Sequence, residues 1–149
     1  VEDLAEIEAI LSRCQIGRLG LVSQGEPYVV PLHFAHLRQA DRLAIYFHGA
    51  GEGRKLEAIG AGAWACFEAD RRIALVDHAK ACRIGATFES VIGWGEVAVC
   101  ADPAEALAAL AALLDKYAPG RSAELAPRDA ALATVLRLTL ARQTAKQRL

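Results

Sequence analysis

The chain has 149 residues, with 17 Lys and Arg against 18 Asp and Glu for a formal net charge of -1, a size that suits one domain, 1–149, around one core. So even a balance gives no long-range field to draw the protein onto nucleic acid or an anionic membrane, and no stretch approaches the ~20 apolar residues of a membrane span. The acidic residues among Val1–Arg13 are unlike the basic start of a signal peptide, and a cytoplasmic location is expected.

The segment Glu2–Cys14 sets Leu4, Ile7, Ile10 and Leu11 at helical spacing and predicts an amphipathic helix. Ile16–Ser23 reads as a strand, Gln24–Pro27 as a turn and Tyr28–Leu37 as a second strand, together a hairpin. Arg38–Asp41 makes another polar turn before Arg42–His48, where Leu43, Ile45 and Phe47 alternate with Ala44, Tyr46 and His48. The glycine-rich run from Gly49 to Gly53 leads through Arg54 and Lys55 into a short helix that stops near Gly60–Gly62, and Ala63–Ala69 is a strand. Arg71–Arg83 has no clean period. Ala86–Cys100 alternates and is interrupted by Gly93 and Gly95, as a bent barrel strand would be. Asp102, Pro103 and Glu105 begin a helix with a cap, a first-turn proline and an acid at the positive end of the dipole. Its apolar stripe is Leu107, Leu110, Leu114 and Tyr117; Pro119–Gly120 ends it, and Val135–Ala141 is a last strand. Consecutive strands without βαβ units predict a mainly β (α+β) fold, an antiparallel barrel of about six strands with peripheral helices.

Four cysteines, Cys14, Cys66, Cys82 and Cys100, lie far apart without a C-x-x-C pair, and read as reduced thiols packed as small hydrophobes, with no metal site expected. Pro31 stands inside the apolar run Tyr28–Phe34, where only an edge strand or a bulge tolerates it. Such an edge frees backbone groups at Val30 and Leu32 to match the acceptors and donor of a flavin's pyrimidine side; the alternative is an edge that serves only as protection against strand-to-strand aggregation. The turn after His48, with Arg54 and Lys55, reads as a phosphate cradle or as an ordinary solvated helix face, and its spacing fits neither a P-loop nor a dinucleotide fingerprint. His48 can contact a phosphate or cofactor, cap a strand end, or transfer a proton; it is the one catalytic candidate. His33 shares a face with Pro31 and borders the expected cleft, whereas His33 and His36, three residues apart, point to opposite faces and cannot jointly hold a metal. Trp94, between two glycines, covers a flavin face or makes a dimer contact, while Trp64 and Tyr117 read as core.

Taken in order, Pro27–Phe34, Ile45–Ala50 with Gly53–Lys55, and Ser90–Gly95 resemble the pyridoxamine-phosphate-oxidase-like FMN-binding split-barrel superfamily, nearest its 5-nitroimidazole reductase branch. The resemblance runs from Ile16 to about Lys146, and its short motifs gain specificity from their order. It implies FMN as cofactor, with Val30, Pro31 and Leu32 along the ring, Phe47 and His48 beside the ribityl chain and phosphate, and Arg54 and Lys55 on the 5′-phosphate. It further implies that Ser90, Val91 and Trp94 line the same cleft near a dimer seam, so that a homodimer holds two flavins at its interface. The implied activity is oxidoreduction, in which a transient nicotinamide donor and a small aromatic or nitro-type acceptor exchange electrons through the flavin. A non-enzymatic flavin or haem carrier is the alternative. True pyridoxamine-phosphate oxidation fits less well, because the chain ends Gln143–Leu149 without the histidine-containing basic segment which that substrate needs.

Overall fold

The computed structural model describes residues 1–149. Its first helix, α1 (Leu4–Arg13), is capped by Asp3, whose carboxylate accepts from the Ala5 amide, and it buries Ile7, Ile10 and Leu11. Strands β1 (Gly17–Ser23) and β2 (Glu26–Leu32) form the expected hairpin around Gln24 and Gly25. Both turn residues have positive φ, 53° and 78°, as in the type I′ turn whose twist matches that of its strands. The long apolar run then breaks at His33–Phe34, and β3 (Ala35–Gln39) pairs with β4 (Arg42–Gly49) instead of continuing beside β1.

The short helix α2 (Arg54–Ile59) leads to the hairpin of β5 (Ala63–Val76) and β6 (Gly85–Val99). Helix α3 (Pro103–Tyr117), the single-turn helix α4 (Pro127–Leu132) and the long last strand β7 (Thr134–Arg148) complete the chain. All the strands join one antiparallel sheet in the order β2-β1-β5-β6-β7-β4-β3. Its edges, β2 and β3, follow one another in the chain with only His33 and Phe34 between them. So short a connection forces the sheet to roll until its edges meet without pairing, which makes a barrel with a split.

Two apolar layers hold this shape. Inside the barrel, 20 buried residues including Leu19, Phe34, Leu43, Ile45, Phe47, Phe67, Val91 and Leu138 form the main core. Outside it, α3 covers Ala44, Tyr46 and Val135 with Ala106, Ala109 and Leu110. The alternation in Arg42–His48 therefore serves two cores, one on each face of β4. Between Trp94 and Gly95 the register of β6 on β7 slips, and a Cβ on Gly95 would lie 1.8 Å from the Thr139 carbonyl oxygen. Only glycine admits that approach, so the bend expected at Gly93–Gly95 is built at this bulge.

Several elements differ from expectation. The sheet has seven strands, because Pro31 and the following kink divide the predicted second strand in two. Strand β5 continues through the unpatterned stretch to Val76, where pairing with β6 fixes the backbone while side chains from Arg72 onward are exposed on both faces. Without a buried face, a strand shows no alternation. In α3 the buried residues are Ala106, Ala109, Leu110 and Leu113, since small alanines let the helix sit close to the sheet and rotate Leu107 and Leu114 off it. Trp64 is 60% exposed and belongs to the outer wall, not the core. Cys14 is buried and Cys66 and Cys100 half-buried, whereas Cys82 is exposed.

Candidate functional site: the mouth of the split barrel

The free edge of β2 follows from its turn. In a two-residue hairpin the flanking pair, here Ser23 and Glu26, exchanges both backbone bonds, and every second pair repeats that arrangement. Counting along the register, Tyr28, Val30 and Leu32 turn their amides to Leu21, Leu19 and Gly17, whereas Pro27, Val29 and Pro31 face the gap. The prolines agree, since both lie where no donor toward β1 is needed. The open backbone groups are thus the N–H and C=O of Val29 and the C=O of Pro27 and Pro31, not those of Val30 and Leu32 that Pro31 alone suggested. The side chains of Val30 and Leu32 pack against the barrel core, and that of Pro31 is exposed.

Across the gap stands the end of β4. Its ladder with β3 stops at Ala35↔Tyr46, and two more steps of the same register would set His33 opposite His48. Cross-strand neighbours share a face, and the two imidazoles do line one cavity of about 200 Å³ with Leu113, Leu114 and Tyr117. His48 also lines an adjoining space of about 310 Å³ with Leu110, Leu113, Leu114, Leu125, Asp129 and Ala133. The next residue turns the other way: a Cβ on Gly49 would lie 2.9 Å from Lys55 Nζ. In this way β4 ends with an imidazole on one face and an ammonium group on the other.

Arg54 and Lys55 also part company. Arg54 donates from Nε to Ser23 Oγ at 2.9 Å, stacks 4.6 Å above the Tyr28 ring, and has Glu26 at 3.8 Å. These contacts tie the glycine-rich turn to the β1–β2 hairpin, bringing the two segments singled out in the sequence to the same opening. Lys55 has no carboxylate partner and no side-chain hydrogen bond within the chain. Its ammonium hangs over Gly49, while Thr134 Oγ1 would sit 3.2 Å from a Cβ on Gly51. A glycine turn with a free cation and a hydroxyl beside it suits an anion such as a phosphate monoester.

Phe47 and Val91 are fully buried in the barrel core, so only their backbones can face a ligand. Ser90 and Trp94 lie on the outer wall, and the row Val29–Gly20–Cys66–Trp94 places the tryptophan three strands from the β2 edge, roughly 14 Å away at normal strand spacing. Trp94 is covered by the Arg142 guanidinium at 3.9 Å. Along β7, Arg142 lies eight residues beyond Thr134, so Trp94 and the glycine turn are about 26 Å apart along the strand. One chain therefore gathers Val30, Pro31, Leu32, His33, His48, Arg54 and Lys55 around the mouth and keeps Ser90, Val91 and Trp94 on another wall. That wall also exposes Val22, Val29 and Trp64, at 66%, 63% and 60%.

Three contributors escaped the sequence. The Tyr117 ring stacks on His33 at 4.4 Å; its hydroxyl accepts from the Phe34 amide at 3.0 Å and lies 2.9 Å from the Gln15 carbonyl. It pins the kink at which β2 leaves β3, and burial pushes its phenol pKa up. Thr134 and the α3 face carrying Leu113 and Leu114 join the mouth only through tertiary contacts, for which a local pattern carries no signal. The largest cavity, about 480 Å³, lies elsewhere, among Ser12, Ala35, His36, Ala112, Asp115 and Lys116. There Lys116 Nζ donates to the Leu11 carbonyl at 3.0 Å and sits 3.5 Å from the centre of the Phe34 ring. Burial lowers its pKa to about 8, and the contacts make it a packing residue.

A seven-stranded antiparallel sheet, rolled until its edges face each other across an anion-suited mouth, defines a split barrel. The chain belongs to the pyridoxamine 5′-phosphate oxidase family, whose family model matches residues 3–147. No curated protein matches it. Among solved structures, a candidate 5-nitroimidazole antibiotic resistance protein from Bacteroides thetaiotaomicron superposes with a TM-score of 0.80 at 23% identity, over 97% of this chain and 84% of that one. An FAD and haem binding protein from Mycobacterium smegmatis gives 0.82 at 24% identity, over 99% and 72%. A flavocytochrome from Azotobacter vinelandii gives 0.81 at 26% identity, over 100% and 69%. No helix of this chain is long and apolar enough to cross a membrane.

Proposed function

We propose that the protein is an FMN-binding oxidoreductase, acting as a homodimer on a small aromatic or nitro-type acceptor. The observation that carries this reading is the convergence on one opening of an unpaired strand edge and a glycine turn bearing the uncommitted Lys55. The donor set fits FMN: Lys55, the amides of the Gly49–Gly53 turn and Thr134 would hold its phosphate, and the Val29 N–H and C=O with the Pro31 C=O would meet the alternating polar edge of its ring. Similar proteins described as FAD-binding and as a flavocytochrome support a flavin in general.

When bound, FMN supplies the electron transfer between donor and acceptor. The chain supplies position and exclusion of water. The buried Phe47 and Phe67 back the mouth from inside the barrel, 5.9 Å apart, and leave the outer side for an acceptor. A nicotinamide donor would bind transiently, since no dinucleotide-binding element is present in the sequence. Ser90, Val91 and Trp94 reach a cleft only if a second copy brings its outer wall to the first copy's mouth; the exposed Val22, Val29 and Trp64 give that wall apolar area to bury.

The test is the visible spectrum of the purified protein, mass analysis of the released flavin, and anaerobic addition of a nicotinamide donor followed by a nitroaromatic acceptor. Bleaching by the donor and recovery with the acceptor are expected. A bound flavin that stays oxidised with every donor would instead make the protein a carrier, and absence of any flavin affinity would overturn the reading.

A further inference from the structure

The cavity of about 480 Å³ among α1, β3 and α3 shares no lining residue with the spaces at His48; its walls are Ser12, Ala35, His36, Ala112, Asp115 and Lys116. Its volume falls within the size of ligand sites, roughly 300–1,000 Å³. The packing of Lys116 also fixes where its nitrogen stands, with the Leu11 carbonyl at 3.0 Å and the centre of the Phe34 ring at 3.5 Å. No carboxylate forms an ion pair with it. Around the amine, Cys14 of α1 is a neutral thiol whose pKa burial raises to about 11. His36 of β3 is a neutral imidazole, its pKa lowered by burial and by Lys116 against the pull of Glu8, and Glu8 pairs with Arg38. Asp115, exposed on the same helix as Lys116, is the one carboxylate lining the cavity.

Burial without a counter-ion disfavours the ammonium form, which is why the Lys116 pKa falls from the ordinary 10.5 to about 8. At pH 7 about a tenth of such a lysine is free amine, against roughly one part in three thousand at the ordinary value, and a free lysine amine in a cavity is a nucleophile toward carbonyl carbon. The other groups in the walls select its partner. Ser12 Oγ donates to the Glu8 carbonyl at 2.9 Å and turns lone pairs to the cavity, and Asp115 adds a carboxylate, so both accept from hydroxyls and Asp115 repels an acid. We infer that Lys116 is the amine of a Schiff-base site that takes up a short, uncharged hydroxyaldehyde. Its nitrogen lone pair forms a bond to the aldehyde carbon while one amine proton passes to the carbonyl oxygen. The second amine proton then leaves with that hydroxyl as water, and a C=N bond replaces the C–O bond, with nothing oxidised or reduced. The neutral His36, lining the same cavity, carries these protons.

The test is incubation of the protein with glyceraldehyde and cyanoborohydride, which reduces an imine to a stable secondary amine, followed by peptide mass mapping of Lys55, Lys80, Lys116 and Lys146. At pH 7 Lys116 is expected to be labelled at least about tenfold faster than the exposed Lys80, at a rate that rises with pH and levels off above about 8. Lys116→Arg is expected to abolish the fast phase. His36→Gln is expected to slow it severalfold without moving its pH midpoint, and an unchanged rate would overturn the role of His36. Glyoxylate, an anionic aldehyde, is expected to favour Lys116 over Lys80 by a ratio about fivefold smaller than glyceraldehyde does. Labelling of all four lysines at one rate, a fast phase that survives in Lys116→Arg, or an equal ratio for the two aldehydes would overturn the assignment. The rate at Lys116 is expected to be the same with and without saturating FMN, and protection by FMN would also overturn it by placing the cavity in the flavin site. A protein that labels at Lys116 but has no affinity for flavin would sink the flavin reading and leave this one standing.

Discussion

The base of α3 and the mouth of the split both concentrate charged and polar side chains, but they use them in opposite ways. At the helix base, Glu105 accepts from Tyr46 Oη at 2.7 Å and from Arg137 Nη1 at 2.8 and 3.0 Å, and Gln39 donates to the Tyr46 oxygen at 2.7 Å. Burial pushes the Glu105 carboxyl up, but the hydrogen bonds from Tyr46, Arg137 and Cys100 outweigh it and hold the pKa at about 2. Each group there is matched by another in the chain. At the mouth, Lys55 and His48 have no such match, and the backbone edge of β2 is open. Polar groups satisfied inside a chain hold a fold together, whereas those left unmatched around a gap are the ones available to a ligand.

The contrast predicts separable effects, the largest at the mouth. Lys55→Ala is expected to weaken FMN binding about 10–100-fold, since a charge-assisted hydrogen bond contributes about 1.5–3 kcal/mol, with an unchanged denaturation midpoint. Flavin fluorescence titration beside urea unfolding reads both. If Lys55→Ala unfolded the protein while leaving affinity intact, the two regions would have exchanged roles.

Next in size is Glu105→Gln, expected to cost about 1–2 kcal/mol of stability through weaker charged hydrogen bonds and to leave FMN affinity unchanged. Because the folded pKa of Glu105 lies below its ordinary 4.5, its stabilisation is complete above about pH 4.5 and declines as pH falls toward about 2. Unfolding midpoints across that window should converge for the two proteins at the acid end, and a constant offset would contradict the pairing. Tyr117→Phe keeps the stack on His33 and removes the clasp on Phe34, an expected loss of about 1 kcal/mol. Smallest is Arg54→Ala, about 0.5–1 kcal/mol for an exposed cation on a ring, with a modest loss of flavin affinity because the turn loosens from Tyr28.

What could be read from the residues alone follows the range of the interactions. The hairpins, the edge position implied by Pro31, the two faces of Arg42–His48 and the bend at Gly93–Gly95 are set by neighbours in sequence, and each was visible as a pattern. The strand from Arg72 to Val76 was not, because it is held only by backbone pairing and buries no face. Trp64 and Tyr117 were misread for a related reason. Hydrophobicity predicts burial on average, but one residue ended on an exposed wall and the other became a clasp between α3 and the kink. Within the site, Lys55 and His48 stood out by residue type, yet their opposite faces emerge only once β4 is paired and Gly49 is seen beneath the lysine. The backbone edge needed the positive φ of Gln24 as well as Pro31, since turn type decides which alternate residues face outward.

In the proposed function the mouth recognises a phosphate monoester joined to a flat ring. Equilibrium titration with FMN and with riboflavin, which lacks the phosphate, tests it most directly in the unaltered protein and in Lys55→Ala. FMN is expected to bind the unaltered protein at least about tenfold more tightly than riboflavin, with the ratio falling toward one in the variant. Equal affinity for the two flavins, or a preference that survives removal of the lysine, would contradict it.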